Sequence, residues 1–222
     1  TWVGSGAAAS TPGLRTLAAV FKPAFSASDA SGVTYLAEDG GCIISEITAA
    51  GSVSKLAGKT PTDCTHAVGV GAAAGFARPT GIALFGTRLS VTEQTTPYLR
   101  SIDTGTADAQ VLAGTGSVGF NDGAGDAASF QSPYGCAFDS AGNTFVGDAG
   151  NNAVRKVDPS GVTTTVAGSG ASANSDNAIG VLAEFSGVRG VAVDANDYVY
   201  AVDFGNDQLR LIAADGVVTT LL

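Results

Sequence analysis

Residues Phe130 to Gly168 read FQSPYGCAFDSAGNTFVGDAGNNAVRKVDPSGVTTTVAG and carry the clearest structural signal in the chain. They contain four short apolar runs, YGCAF, NTFVG, AVRKV and VTTTVA, which are separated by the turn-forming clusters DSAG, DAGN and DPSG. Short runs joined by turns this tight are typical of a four-stranded antiparallel meander. A similar pattern starts again at Phe185, so the meander is a repeated unit.

The repeat has a period of 55 residues and occurs four times. The acidic residues that close the second predicted strand of each unit are separated by that interval: Glu38, Glu93, Asp148 and Asp203. An Ala-X-Phe sequence precedes every unit, and in three units a basic residue follows the acid by seven positions: Arg100, Arg155 and Arg210. The chain is therefore a repeat protein.

At these positions the sequence resembles the NHL-repeat family of β-propellers. The family pattern has an A-x-F-x-x-P-x-G entry, a G-N-x-Y-V-A-D-x-x-N-x-R-I-R-K-I middle and a V-T-T-x-A-G exit. The resemblance spans all four units and is strongest in the last two, which contain GDAGNNAVRKV and VDFGNDQLRLI. Unit two departs most, since its middle reads LSVTEQTTPYLRSI with Pro97 in the turn. NHL motifs specify a fold well and a function poorly.

The resemblance implies an all-β chain, a β-propeller of four antiparallel four-stranded blades. We predict a single domain over residues 1–222, with blades at about 21–58, 76–114, 130–168 and 185–222. The first strand of each blade should be the innermost, and apolar residues such as Val154, Val199 and Val202 should pack between neighbouring sheets. The blades either close into one compact ring or form a segment of a larger propeller or array.

The two chain ends bear on ring closure. Thr1 to Gly6 match Thr165 to Gly170, the end of a fourth strand, so we expect residues 1–6 near the ring closure. The chain begins without Met, from which we expect a mature or excised segment, and no signal peptide is visible at its start.

The composition indicates a surface with few charges. Apolar residues make up 45% of the 222 residues and charged residues only 14%, and the mean hydropathy is +0.24. These charged side chains are too few to coat a free soluble particle of this size. We therefore expect other copies or other proteins to cover part of the surface, and the edges of the outermost strands offer such partners a further route.

The charge balance argues against nucleic acid as a partner. Eleven basic and 20 acidic residues give a net charge of −9, and the basic residues do not cluster. Binding to phosphates needs a patch of Lys and Arg, which this sequence lacks. The sequence also has no run of 18 apolar residues, so no transmembrane helix is predicted.

The four spaced acids are the main candidate site. In a closed ring Glu38, Glu93, Asp148 and Asp203 would lie on one face, where converging carboxylates could hold calcium. The alternative, which we favour, is that each acid caps its own turn or pairs with the basic residue seven positions later.

Two further acids lie in the linker sequence NDGAGDA. Asp122 and Asp126 are weaker calcium candidates, and a Gly-Asp turn is the simpler explanation for them. We predict no cofactor, with calcium as the alternative.

The three cysteines are too scattered for a zinc site. Cys42 lies in the turn between the second and third strands of unit one, and Cys64 lies in the loop leading to unit two. In a propeller these loops emerge on the same face, so we predict a Cys42–Cys64 disulfide and an extracellular or cell-surface location. Cys136 lies in an apolar strand and is expected to be a buried hydrophobic residue.

The sequence lacks the residue sets of common hydrolytic chemistry. Its single histidine, His66, is expected to be a solvated loop residue, and neither a G-x-S-x-G motif nor a Ser-His-acid set is present. Two function classes follow. The first, which we favour, is a non-catalytic structural or protein-interaction module of an extracellular assembly. The second is a propeller enzyme, or a small-ligand or calcium binder that uses the axial face.

Overall fold

The four predicted units are four antiparallel β-sheets. The computed structural model of the protein describes residues 12–14, 18–60 and 63–222. These residues form nineteen β-strands and five short 3-10 turns. The turns are Gly71–Ala73, Gly125–Ala127, Ala149–Asn151, Gly180–Leu182 and Phe204–Asn206. The prediction of an all-β chain is confirmed.

The chain divides into two compact units. The first comprises the described residues of Thr1–Thr96 together with Arg100–Val111, and the second comprises Pro97–Leu99 and Leu112–Leu222. The first unit holds the sheet of repeat one and most of the sheet of repeat two. The second holds the sheets of repeats three and four. We number these sheets as blades 1 to 4.

Blades 1 and 2 have the same strand order. Blade 1 consists of β1 (Gly13–Leu14), β2 (Pro23–Ser28), β3 (Thr34–Glu38), β4 (Ile43–Ile47) and β5 (Ser52–Ala57), in the order β1-β5-β4-β3-β2. Blade 2 consists of β6 (Gly69–Val70), β7 (Pro79–Phe85), β8 (Arg88–Glu93), β9 (Tyr98–Asp103) and β10 (Asp108–Ala113), in the order β6-β10-β9-β8-β7.

Blades 3 and 4 continue the pattern. Blade 3 consists of β11 (Gly123–Ala124), β12 (Pro133–Phe138), β13 (Thr144–Asp148), β14 (Ala153–Val157) and β15 (Val162–Ala167), in the order β11-β15-β14-β13-β12. Blade 4 consists of β16 (Val188–Val193), β17 (Val199–Asp203), β18 (Gln208–Ile212) and β19 (Val218–Thr220), in sequence order across the sheet.

Three blades have a fifth strand that the sequence pattern did not predict. The linker before each of them supplies two residues that pair with the last strand of that blade: β1 with β5, β6 with β10, and β11 with β15. In blade 4 the linker makes an isolated bridge between Asn177 and Val218. Because the linkers pair with these strands, the last strands are not the open edges that we expected as a route to partners.

The core of the first unit lies between blades 1 and 2. Blade 1 contributes the buried residues Tyr35, Ala37, Ile44 and Ala57. Blade 2 contributes Ala74, Phe76, Ile82, Leu89, Val91, Ile102 and Ala109. Phe76, from the Ala-X-Phe sequence, has no exposed surface. The conserved spacing of this phenylalanine along the chain is thus explained by its packing at the junction of two blades.

The core of the second unit lies between blades 3 and 4. Blade 3 contributes Phe145, Val154 and Ala167, and blade 4 contributes Ala183, Phe185, Val188, Val199, Ala201, Ile212 and Val218. Val154 and Val199 are buried as predicted, but Val202 is 43% exposed. The prediction for Val202 was wrong because residues 199 and 202 are an odd number apart and face opposite sides of β17.

Gly125 tests the backbone geometry of the linkers. Its φ is +54°, a left-handed value, and a Cβ atom there would meet nothing within 4 Å. We expect Gly125→Ala to lower the free energy of unfolding by about 1–2 kcal/mol, because it adds only the strain of left-handed backbone. Urea denaturation measures the change.

Gly105→Ala is the control for this prediction. The φ of Gly105 is not positive, and a Cβ atom there would lie 3.4 Å from the nearest atom, Asp103 Oδ1. Alanine at such a position restricts the unfolded chain, so we expect no loss and a gain of up to about 1 kcal/mol. Equal losses in the two variants would contradict the assigned geometry.

Among the described residues, none of the helical turns has the length and hydrophobicity that crossing a membrane requires. Residues 1–6, which we expected near the ring closure, lie outside the described residues. Ring closure stays a prediction.

Candidate functional site

The four predicted acids end the second strands of their blades. Glu38 is the last residue of β3, Glu93 of β8, Asp148 of β13 and Asp203 of β17, and all four are fully buried. Each carboxylate accepts a hydrogen bond from a backbone amide at the entry of its own blade. The donors are Phe21, Ala77, Gln131 and Ser186. Each acid therefore ties the blade entry to the end of the second strand.

In blades 2, 3 and 4 the acid pairs with the arginine seven residues later. The pairs are Glu93–Arg100, Asp148–Arg155 and Asp203–Arg210. In blades 3 and 4 the arginine Nη1 lies 2.9 Å from a carboxylate oxygen. All six side chains are fully buried. This is the pairing that the seven-residue spacing predicts.

Blade 1 lacks the arginine. Ser45 stands seven residues after Glu38, and its hydroxyl donates to Glu38 Oε1. Glu38 also accepts the Phe21 amide at 2.8 Å. The acid of blade 1 is thus held by neutral donors in these two contacts.

In blade 3 the linker adds a second carboxylate to the arginine. Asp122 Oδ1 lies 2.7 Å from Arg155 Nη2, and its carboxylate also accepts the amide and hydroxyl of Thr165. Desolvation opposes ionisation of Asp122, but the hydrogen bonds from Thr165 and Arg155 outweigh it and lower the pKa of Asp122 below 3.8. Of the two linker acids considered for calcium, Asp122 therefore contacts Arg155, whereas Asp126 is exposed in the turn Gly125–Ala127.

Asp176 has the same role in blade 4, and the sequence reasoning missed it. Its Oδ1 lies 2.8 Å from Arg210 Nη2, and it accepts the amide and hydroxyl of Thr220. The signal that could have identified it is spacing. Asp176 precedes its arginine by 34 residues, and Asp122 precedes its own by 33.

In blade 2 the corresponding linker residue is His66, which precedes Arg100 by 34 residues. His66 Nδ1 lies 3.1 Å from Glu93 Oε2 and 3.1 Å from Arg100 Nη1, and the side chain is 21% exposed. The expectation of a solvated loop residue was therefore wrong. The repeat brings each linker back to the arginine of its blade, and here an imidazole occupies the place of a carboxylate.

A phenylalanine ring covers each buried guanidinium. The distance from the arginine Cζ to the ring centroid is 5.0 Å in blade 2, 5.2 Å in blade 3 and 4.6 Å in blade 4. The rings belong to the Ala-X-Phe sequences and are fully buried: Phe76, Phe130 and Phe185. Such cation–π contacts add to the ion pairs. We call the acid, the arginine, the linker residue and the phenylalanine the arginine cluster of a blade.

The arginine cluster of blade 3 shows why these charges serve the fold. Burial raises the pKa of Asp148 to about 6, although Asn151, the Gln131 amide and Arg155 all donate to it. At neutral pH the carboxylate is therefore ionised and engaged by groups of its own blade. Over residues 12–14, 18–60 and 63–222, no three His, Cys, Asp or Glu side chains group where they could hold a metal ion.

Cys42 and Cys64 form the predicted disulfide. Cys42 is fully buried between β3 and β4, and Cys64 lies 22 residues further on, in the linker. The bond therefore attaches the linker to blade 1. Cys136 is buried on β12 as predicted, and burial raises the pKa of its thiol to about 12, which makes the thiolate scarce and the residue unreactive.

The second unit contains a cavity of about 460 Å³ at hairpins of blades 3 and 4. Asp139, Lys156 and Asp197 are among its lining residues. Asp139 accepts two backbone amides and the side-chain amide of Asn143, and Asp197 accepts the amide and hydroxyl of Ser140. Both carboxylates are thus engaged in holding a hairpin in place.

A scan against protein-family models finds no match, and neither does a search of curated proteins. Solved structures do match. An auxiliary nutrient binding protein from Bacteroides thetaiotaomicron has 17% identity and a TM-score of 0.66, over 86% of this chain and 46% of that one. Virginiamycin B lyase from Staphylococcus aureus has 13% identity and a TM-score of 0.58, over 90% and 55%. A nidogen/laminin complex has 17% identity and a TM-score of 0.63, over 90% and 64%.

These similar structures contain β-propellers. The chain has the β-propeller fold. It spans about half the length of the propellers that it matches. At identities this low the likeness concerns the fold alone, and the NHL type is a finer assignment.

The linkers of the propeller expose large apolar side chains. Seven such residues are between 42% and 66% exposed: Leu14, Val68, Val70, Val118, Ile179, Val181 and Leu182. We call them the linker set. Most lie beside the two-residue strands and 3-10 turns by which a linker contacts its blade. The linkers were expected to be contact surfaces because of their small residues, and their exposed aliphatic side chains add to that interpretation.

Blade 4 of the propeller exposes a second apolar surface. Val202 is 43% exposed and Phe204 is 51% exposed. With Leu209 and Leu222 they line a cavity of about 270 Å³. We call these four residues the blade 4 patch. Contiguous apolar patches on soluble proteins mark contact sites.

Proposed function

We propose that this propeller is a non-catalytic structural or protein-interaction module of the NHL-like type, and a subunit of an extracellular or cell-surface assembly. One observation carries the proposal: buried charged groups are engaged with one another in the arginine clusters, while the linker set and the blade 4 patch expose apolar side chains. Groups buried in this way stabilise the fold, and exposed apolar surface favours association.

The arginine clusters support the NHL-like assignment. They are built from the residues by which the sequence resembles that family, namely the phenylalanine of the A-x-F entry and the acid and arginine of the middle segment. Their joint use in one buried contact explains why these positions recur together with the 55-residue spacing.

The disulfide supports a location outside the cytosol. Disulfides persist in oxidising compartments and are rare where thiols are kept reduced. The Cys42–Cys64 bond attaches a linker to blade 1, so its loss would release part of the proposed contact surface.

Protein partners are favoured over nucleic acid. The net charge of −9 and the scattered basic residues give no phosphate-binding patch. One similar structure is a complex of nidogen with laminin, which supports a protein as the class of partner. The proposed partners are therefore other copies of this chain or other proteins.

A propeller enzyme or small-ligand binder is the alternative function. The cavity of about 460 Å³ favours it, because small-molecule sites commonly have volumes in that range. Two similar structures are auxiliary nutrient binding proteins, from Bacteroides thetaiotaomicron and Bacteroides ovatus. Binding of a small molecule that a Lys156→Ala substitution abolishes would favour this alternative.

Hydroxyl-radical footprinting tests the proposed function. We expect the linker set and the blade 4 patch to be labelled in the purified chain and several-fold less labelled in the native assembly. Phe85, which is 42% exposed and belongs to neither set, serves as the reference side chain. Equal labelling of both sets in the two samples would exclude the interaction role.

A further inference from the structure

We propose that the blade 4 patch of one copy of this chain docks on the entry side of blade 1 in a second copy. The inference rests on the proposed interaction role and names its partner. It starts from the repeat, which shows what covers the same surface elsewhere in the chain.

In the second unit, one face of blade 3 is covered by blade 4. Phe145, Val154 and Val166 of that face pack in the shared core. The residues 55 positions later form the same face of blade 4: Tyr200, Leu209 and Leu221. Val154 has no exposed surface, whereas Leu221 is 45% exposed. The face that blade 3 buries is therefore apolar and exposed in blade 4.

The first unit shows the same arrangement. Tyr35, Ile44 and Leu56 of blade 1, which lie 110 residues before the three positions of blade 3, pack in the core shared with blade 2. In both units this face is thus covered by the entry side of the next blade. The blade 4 patch requires a surface of the same kind.

The entry side of a covering blade has a constant composition. In blade 4 it includes Phe185, Val191 and Ala201, with Val191 opposite Ala201 in the sheet. The corresponding residues of blade 1 are Phe21, Ser26 and Leu36, with Ser26 opposite Leu36. Phe185 and Ala201 have no exposed surface, but Ser26 is exposed and Phe21 and Leu36 are partly exposed. Blade 1 therefore presents an accessible entry side.

Charge complementarity selects this pairing of faces. At the junction of blades 3 and 4, the Gly187 amide donates to Asn152 Oδ1 at 2.8 Å. The residue 55 positions after Asn152 is Asp207, which has nearly the same φ, 54° against 51°. The residue of blade 1 that corresponds to Gly187 is Lys22, which also has positive φ. Docking in this order would place an exposed carboxylate beside an exposed ammonium group.

Two copies complete a propeller of ordinary size. Two chains supply eight blades, and propellers have about four to eight. The two junctions are equivalent under a twofold axis, so the assembly closes and does not polymerise. The chain spans 46% and 55% of two of the propellers that it matches, which agrees with two copies filling one such ring.

Sedimentation of the purified 222-residue chain tests the proposal. We expect a particle of twice 21.8 kDa for the wild type. Val202→Asp should reduce it to a single copy, because a carboxylate would be buried in the junction. The control Val162→Asp, at a residue with a similar exposure of 40% on the outer strand of blade 3, should remain a pair.

A charge exchange makes the test specific for blade 1. Lys22→Asp and Asp207→Lys should each weaken pairing at least tenfold through like-charge contacts, and the double variant should restore it. A wild-type particle of 21.8 kDa, or pairing that Val202→Asp leaves intact, would overturn the docking. Failure of the charge exchange to restore pairing would do so as well. The proposed function would survive these results if the native assembly still protected the blade 4 patch from labelling.

Discussion

Arg155→Ala is expected to lower the free energy of unfolding by about 3–5 kcal/mol, the largest effect of a single substitution considered in this chain. Asp148 has no exposed surface and would lose the guanidinium that lies 2.9 Å away. A buried carboxylate without its partner is costly. Urea denaturation at pH 7 measures the loss.

The control for this substitution is Arg78→Ala. Arg78 Nε lies 2.8 Å from Asp39 Oδ1, but the arginine side chain is 51% exposed. Exposed ion pairs contribute about 0–1 kcal/mol, so the expected loss is within that range. Equal losses for Arg155→Ala and Arg78→Ala would contradict the role of the arginine cluster in stability.

The Arg155→Ala deficit should also depend on pH. The pKa of Asp148 is about 6 in the folded state, against an ordinary value of 3.8, and removal of Arg155 raises it further. Between the two values the folded state binds more protons than the unfolded state, so stability falls as pH rises. The deficit should therefore be larger at pH 8 than at pH 5.

Removal of the disulfide is expected to have the second-largest effect. The double variant Cys42→Ser/Cys64→Ser should lose roughly 3 kcal/mol of unfolding free energy, because the bond closes a loop with a sequence separation of 22 residues in the unfolded chain. Denaturation curves of the wild type and the variant, without reductant, give the difference.

Reductant supplies the control for the disulfide. Dithiothreitol should lower the stability of the wild type to that of the double variant and should leave the variant unchanged. Thiol titration of the denatured, unreduced wild type should find one reactive group, which is Cys136. Three reactive groups would show that the bond is absent in solution.

The blades were predictable because each repeat carries its own strand and turn signals. The 55-residue period correctly placed the four acids at the ends of the second strands, and the seven-residue spacing correctly paired them with the arginines. The alternation of faces along a strand was applied less well. Val202 was assigned to the core because it is apolar, although its position on β17 places it opposite Val199.

The linkers were less predictable for a physical reason. Strands β1, β6 and β11 have two residues each, which is too short to show any alternation. Their residues are positioned by pairing with a strand nearly 40 residues away in sequence. His66 and Asp176 likewise have no local pattern. Their role follows only from their distance to the arginine, once one such contact is known.

The central claim is that this propeller works by association with other polypeptides. The most direct test is the mass of the native assembly that contains the chain, measured by native mass spectrometry or sedimentation. The account predicts a stable particle in which this chain is joined by at least one further polypeptide, either a second copy or another protein. A particle that contains one polypeptide chain across the accessible concentration range would contradict it.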